Sequence, residues 1–267
     1  MKEKKVRTDK IREMKGERKK IVMVTAYDYP TGRIVDEAGV DIVLVGDSLG
    51  MTTLGYEDTL RVRLDEMIHH CSAVRRGVKN ALLVGDMPFL SYKIDTKTAL
   101  INCGRMLQEG GAEAVKLEGG AEIAHIIRDI VQAGIPVMGH IGLTPQSLHQ
   151  LGGYKIQGKE PEELLKLLSD AEVLQEVGCF SIVIEAVPRD VGEKITRSVK
   201  IPTIGIGAGK GCDGQVLVFT DIVGLTFGKV PKLAKKYADL GAIAGEAIKK
   251  FASEVREGTF PDEEHSY

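Results

Sequence analysis

Six apolar runs in this chain each stop on an acid, a histidine or a glycine cluster, and that punctuation constrains the fold more than any other feature. The runs are Ile42 to Gly46, Leu82 to Gly85, Ala114 to Leu117, Val137 to Gly139, Ile182 to Ile184 and Thr203 to Ile206. Their stops are Asp47, Asp86, Glu118, His140, Glu185 and the group Gly205, Gly207, Gly209. Short apolar runs separated by amphipathic stretches describe strands buried on both faces, as in a parallel sheet. In a closed α/β barrel the C-terminal ends of all strands open onto one face, which holds the active site. Acids far apart in sequence would then share one pocket.

The intervening segments read as helices. Leu64, Met67, Ile68, Cys71 and Val74 recur at spacings of three and four, as do Ile123, Ile126, Ile127 and Ile130, and Leu164, Leu167, Leu168, Ala171 and Leu174. Residues 8 to 18 predict a leading helix, and Ile21 to Ala26 a first strand. Ile222 to Phe227 predicts an eighth strand, and Pro231 to Arg256 a long final helix. Strands alternating with helices imply right-handed crossovers. The 267 residues contain no linker-like stretch, so the sequence predicts a single (β/α)8 TIM barrel domain over 1–267 with an additional N-terminal helix. An open doubly wound sheet is the alternative. The connections Ser48 to Thr59 and Gly142 to Lys159 exceed ordinary loop length and would overhang the site as lids.

Composition narrows the function classes. A net charge of −2 gives no sign of nucleic acid or an anionic membrane as partner. No run approaches a membrane span and no secretory h-region opens the chain, so a cytoplasmic location is expected. The cysteines Cys71, Cys103, Cys179 and Cys212 form no C-x-x-C pair and read as small buried hydrophobes.

The chemistry lies in the stops. Asp47, Asp86 and Glu118 offer oxygen ligands only, which suit Mg²⁺, Ca²⁺ or Mn²⁺; taken singly, Asp47 and Asp86 could also serve only their local turns. Side chains alternate along a strand, so Lys116 shares the face of Glu118, either as a structural ion pair or as a cation for an anionic substrate. Glu185 follows Ser181-Ile182-Val183-Ile184 and is left over as a general base; a salt bridge to Arg189 or a neighbouring lysine is the bland reading. Gly205-Ile206-Gly207-Ala208-Gly209-Lys210-Gly211 suggests close backbone approach to a ligand but fits neither a Walker A loop nor G-x-G-x-x-G. His140 could orient a carboxylate, bind substrate or simply be a satisfied core histidine.

Asp47, Lys116, Glu118, His140 and the glycines lie in stretches that resemble the ketopantoate hydroxymethyltransferase family: Val24-Thr25-Ala26-Tyr27-Asp28-Tyr29, Val45-Gly46-Asp47-Ser48-Leu49-Gly50-Met51, Val115-Lys116-Leu117-Glu118-Gly119-Gly120, Gly139-His140-Ile141-Gly142-Leu143-Thr144-Pro145-Gln146-Ser147, Gly152-Gly153-Tyr154-Lys155-Ile156-Gln157-Gly158 and Ile204-Gly205-Ile206-Gly207-Ala208-Gly209. The departures are conservative, Ala186 after the glutamate being one. The resemblance implies a hydroxymethyl transfer from 5,10-methylenetetrahydrofolate to 3-methyl-2-oxobutanoate through a Mg-stabilised enolate, giving 2-dehydropantoate in pantothenate and coenzyme A biosynthesis. It implies Mg²⁺ on Asp47, Asp86 and Glu118, the last directly or through water. It places the keto acid on Asp47, Ser48, Asp86 and Lys116, and the proton on Glu185. His140, Gly205 and Gly207 are secondary candidates. It also implies a homo-oligomer, typically a decamer. Two other readings stand beside it: another Mg-dependent 2-keto acid enolate enzyme, a carbon–carbon lyase or mutase, and a non-catalytic metabolite-binding barrel.

Overall fold

Eight parallel strands close in chain order into a barrel: β1 (Ile21–Thr25), β2 (Ile42–Val45), β3 (Leu82–Asp86), β4 (Ala114–Glu118), β5 (Val137–Gly142), β6 (Ser181–Glu185), β7 (Thr203–Ile206) and β8 (Gly214–Leu217). This is a computed structural model, and it describes residues 5–228 and 230–267. Closure is made by β8 on β1, in register from Ile21↔Gly214 to Val24↔Leu217. Helices Leu64–Gly77, Ala124–Gln132 and Pro161–Glu176 fall between strands where the apolar spacings predict, and Thr96–Gln108 and Arg189–Ser198 fill two further connections. The chain divides into two compact units, one running to Val218 and containing the barrel, the other Phe219–Tyr267.

Alternation along the strands builds the barrel interior. Ile21 and Met23, Ile42 and Leu44, Leu82 and Val84, then Ala114, Met138, Val183, Ile204 and Val216 form one buried cluster. Ile11 and Met14 of the leading helix Thr8–Gly16 join it. Lys15 fastens that helix: its Nζ donates to the carbonyls of Thr196 (2.9 Å) and Ile201 (3.0 Å) and lies 3.0 Å from Asp213 Oδ2. All four cysteines are buried and unpaired, as their spacing predicts.

Two expectations are corrected. The eighth strand is Gly214–Leu217, not 222–227. Gly214 and Gln215 dilute its apolar signal, whereas Ile222 and Val223 belong to the short helix Phe219–Val223. The final helix is Leu240–Glu257, beginning nine residues after Pro231. The amides of Tyr237 and Ala238 donate to the Ile222 carbonyl, so they are not available to continue a helix from Pro231.

Asp36 gives the barrel wall a pH-dependent tie. Buried at the end of the helix Tyr29–Glu37, it accepts from the amides of Lys79 (3.0 Å), Asn80 (2.9 Å) and Ala81 (2.8 Å) and from Asn80 Nδ2 (2.9 Å), just before β3. Burial alone would raise its pKa, but the donors from Ala81, Lys79 and Asn80 outweigh it and hold the carboxyl below the ordinary 3.8. A depressed folded pKa contributes stability above the unfolded value that is lost as pH falls through the folded one. Asp36→Ala is therefore expected to cost about 3 kcal/mol at neutral pH, from orphaned buried amides. The gap between variant and wild type in urea melts should narrow below pH of about 4. An equal gap at pH 7 and pH 3 would contradict this account.

Candidate active site

The same alternation that fills the core carries the reactive side chains to its top layer. Leu82 and Val84 of β3 are followed two residues on by Asp86; Ala114 of β4 by Lys116 and Glu118; Met138 of β5 by His140; Val183 of β6 by Glu185. Register sets neighbours, with Asp86 beside Lys116, Glu118 beside His140 and Glu185 beside Gly142. Asp47 lies just past β2 and is drawn in through its amide, which donates to Asp86 Oδ2 at 3.2 Å. Gly142 has a positive φ of 94°, and a Cβ there would stand 2.2 Å from the Glu185 carbonyl, so only glycine fits beside Glu185.

These groups form one continuous chain of contacts. Lys116 Nζ lies 3.0 Å from Asp86 Oδ1 and 3.1 Å from His140 Nδ1. Glu118 Oε1 lies 3.5 Å from His140 Nδ1, and His140 Nε2 lies 3.2 Å from Glu185 Oε2. Asp47, Asp86, Lys116, Glu118 and His140 are all at least 96% buried, whereas the Glu185 side chain keeps 17% of its surface. The partner of Glu185 is His140, not Arg189 or a neighbouring lysine.

Electrostatics follow from burial and company. Asp47 is pushed well above the usual carboxylate range by burial and by the charges of Asp86 and Glu118. Burial also raises Asp86, with Lys116 opposing it. Glu118 goes the other way: burial would raise it, but His140, Lys116 and the Gln146 amide hold it below its ordinary value. Lys116 is desolvated too, yet Asp86, Glu118 and Asp47 raise its pKa above the ordinary lysine value and keep it charged. For His140, burial and Lys116 favour the neutral ring, but Glu118 and Glu185 prevail and its pKa rises. Asp47 and Asp86 are thus the two acids of the cluster whose charged forms are disfavoured by their surroundings. Asp47 and Asp86 are buried together with one counter-charge, Lys116, at 3.0 Å from Asp86 Oδ1, so two oxygen-donor carboxylates sharing a single cation suit a hard divalent ion. Among the described residues, no three histidine, cysteine or acidic side chains stand as a ready-made cage for a metal.

Several contributors escape a sequence reading. Ser48 Oγ is 2.9 Å from Tyr27 OH, which accepts from Thr25 Oγ1 at 2.9 Å. A Cβ at Gly46 would lie 2.9 Å from Ser48 Oγ and 3.8 Å from Asp86 Oδ2, so Ser48 borders the acids. Thr25 continues the Ile21, Met23 alternation and could have been found that way; Tyr27 could not. The segment after β5 lies across the strand ends. Leu143 and Gln157 donate to the carbonyls of Glu185 and Ala186 (2.9 Å each), and Gln146 reaches Asp47 and Glu118. Gly205 sits within β7, where a Cβ would meet Cys212 Sγ at 2.9 Å, a packing reason for glycine; Gly207 follows with a φ of 65°.

Comparison with known proteins bears on this site. A family model described as ketopantoate hydroxymethyltransferase matches residues 5–263. The 3-methyl-2-oxobutanoate hydroxymethyltransferase of Thermoanaerobacter sp. (strain X514) is 53% identical over 265 residues, spanning 99% of this chain and 97% of that protein. The protein of the same name from Nitratidesulfovibrio vulgaris (strain DP4) is 55% identical over 260 residues, 97% of this chain and 84% of that one. Among solved structures, phosphonopyruvate hydrolase in complex with oxalate and Mg²⁺ aligns with a TM-score of 0.63 at 11% identity, covering 97% of this chain and 93% of the other. A 2,3-dimethylmalate lyase aligns at 0.61 and 15% identity, covering 97% and 91%. At such identities the structural likeness speaks for the barrel alone.

Proposed function

The chain belongs to the ketopantoate hydroxymethyltransferase family, and on that footing we propose that it transfers a hydroxymethyl group from 5,10-methylenetetrahydrofolate to 3-methyl-2-oxobutanoate. The product is 2-dehydropantoate, on the way to pantothenate and coenzyme A. One observation carries the reading: a buried Asp47–Asp86–Lys116 group stands on one side of His140, and the less buried Glu185 on the other.

Asp47 and Asp86 would hold a Mg²⁺, with Glu118 close enough to act through water; a site completed by substrate oxygens and water needs no cage of three protein ligands. An ion held by these acids would supply positive charge to stabilise the negative charge that develops when C3 of a 2-keto acid is deprotonated. Lys116 stays protonated and offsets the substrate's negative charge. Ser48, held by Tyr27, can donate a hydrogen bond to the same acid. Glu185 takes the C3 proton, and His140 faces the carboxyl that receives it. C3 then bonds to the methylene carbon, the carbon–nitrogen bonds to folate break, and water provides the hydroxyl, leaving tetrahydrofolate.

The test needs no folate. Wild-type protein with Mg²⁺ in heavy water should exchange the C3 proton of 3-methyl-2-oxobutanoate for deuterium, seen as loss of its proton NMR signal. Exchange no faster than in a protein-free control would sink the assignment. The same reading takes residues 1–267 as one functional barrel domain in the cytoplasm. Among the described residues no helix is long and apolar enough to cross a membrane. We extend the reading to a homo-oligomer, a decamer by family resemblance. Its support is the stripe Leu240, Ile243, Ile248, Phe251 and Val255, exposed along one helix. Light scattering that finds a monomer would remove this part.

A further inference from the structure

Gln146 is 3% exposed and belongs to no strand. It lies in the short turn Pro145–Ser147 of the segment following β5, yet it touches three strand ends. Its Nε2 donates to the Met87 carbonyl (2.8 Å) and to Asp47 Oδ2 (2.9 Å). Its backbone amide donates to Glu118 Oε2 (2.9 Å). Its Oε1 lies 3.0 Å from Tyr92 OH, which is also 2.8 Å from the Glu118 carbonyl and accepts from the Glu118 amide at 3.0 Å. The orientation of the amide is not free. The Met87 carbonyl can only accept, so the NH₂ must face it, and the second hydrogen then points at Asp47. Reversing the amide would set its oxygen against two acceptors at once.

We infer that Gln146 is a positioning residue for the cation: it occupies one oxygen of Asp47 and one of Glu118, fixes both carboxylates, and so makes metal uptake depend on the seating of the segment after β5. This rests on the metal reading given above. A partner that fixes a metal-binding carboxylate typically contributes 10- to 100-fold in metal affinity. A residue that merely packs a loop would change stability and leave affinity alone.

Calorimetric titration with Mg²⁺ alone separates the two roles. Gln146→Met has nearly the same length, keeps the backbone donor to Glu118 and removes the side-chain donors to Asp47 and Met87. It should bind Mg²⁺ about 10- to 100-fold more weakly than wild type. Deuterium exchange at C3 should return when Mg²⁺ is raised to saturate it. Wild-type affinity in folded Gln146→Met would overturn the inference. If that variant does not fold, Tyr92→Phe decides: it frees Oε1 and should weaken Mg²⁺ binding, and unchanged affinity would be equally fatal. A wild-type protein that takes up no Mg²⁺ would instead bring down the metal reading itself, a result distinct from strong uptake by wild type and variant alike.

Discussion

Glu185→Gln is expected to slow C3 proton exchange of 3-methyl-2-oxobutanoate by about 10²- to 10⁴-fold, the range a positioned general base contributes. Binding of the keto acid should stay near wild type, because Lys116, Ser48 and the Asp47–Asp86 pair are untouched. The substitution is close to isosteric, and the local backbone holds the side chain where it is. The Glu185 carbonyl accepts from the Leu143 amide at 2.9 Å, and Gly142 leaves no room for displacement. The next residue, Ala186, has a φ of 47°, uncommon for a residue with a Cβ, and is pinned by its amide to the Ile206 carbonyl at 2.8 Å. A glutamine oxygen can still face His140 Nε2, so the change removes basicity and little else. Exchange at the wild-type rate in this variant would show that another group takes the proton.

The barrel was legible because its signals are local. A strand buried on both faces must be apolar, and the next polar residue marks where it leaves the core; that rule alone finds Asp86, Glu118, His140 and Glu185. It fails where a strand is short and partly polar, as at Gly214–Leu217, and where an apolar stretch such as Ile222-Val223 turns into a helix instead. Of the site, the residues at or just past strand ends could be read, and those deeper in the connections could not. Gln146 and Tyr92 come from segments without periodicity, and their role exists only through contacts with distant residues, 99 positions along the chain from Gln146 to Asp47 and 26 from Tyr92 to Glu118. Tyr27 joins Ser48 across 21 residues for the same reason. Spacing in the sequence carries information about faces of one element, and almost none about which loop lies over which strand end.

Asp86→Asn should abolish measurable Mg²⁺ uptake and lower turnover by roughly 10³-fold, since a bound ion supplies several kcal/mol of charge stabilisation and each 1.36 kcal/mol is tenfold in rate. The amide is a poor substitute here for a geometric reason as well as for its lost charge. Asp86 stands between two donors, Lys116 Nζ at 3.0 Å from Oδ1 and the Asp47 amide at 3.2 Å from Oδ2. An asparagine can offer its oxygen to only one of them and must turn an NH₂ toward the other. Folding should survive, because Lys116 retains Asp47 and Glu118 as counter-charges and one source of repulsion among the buried acids is removed. Circular dichroism and calorimetry on the same sample separate these outcomes. A folded variant with wild-type Mg²⁺ affinity would mean that the acids and Lys116 are a structural plug in the barrel mouth, and the non-catalytic barrel would become the better account. Loss of affinity in a folded protein would tie Asp86 to the ion and leave Glu185, on the far side of His140, free for the proton.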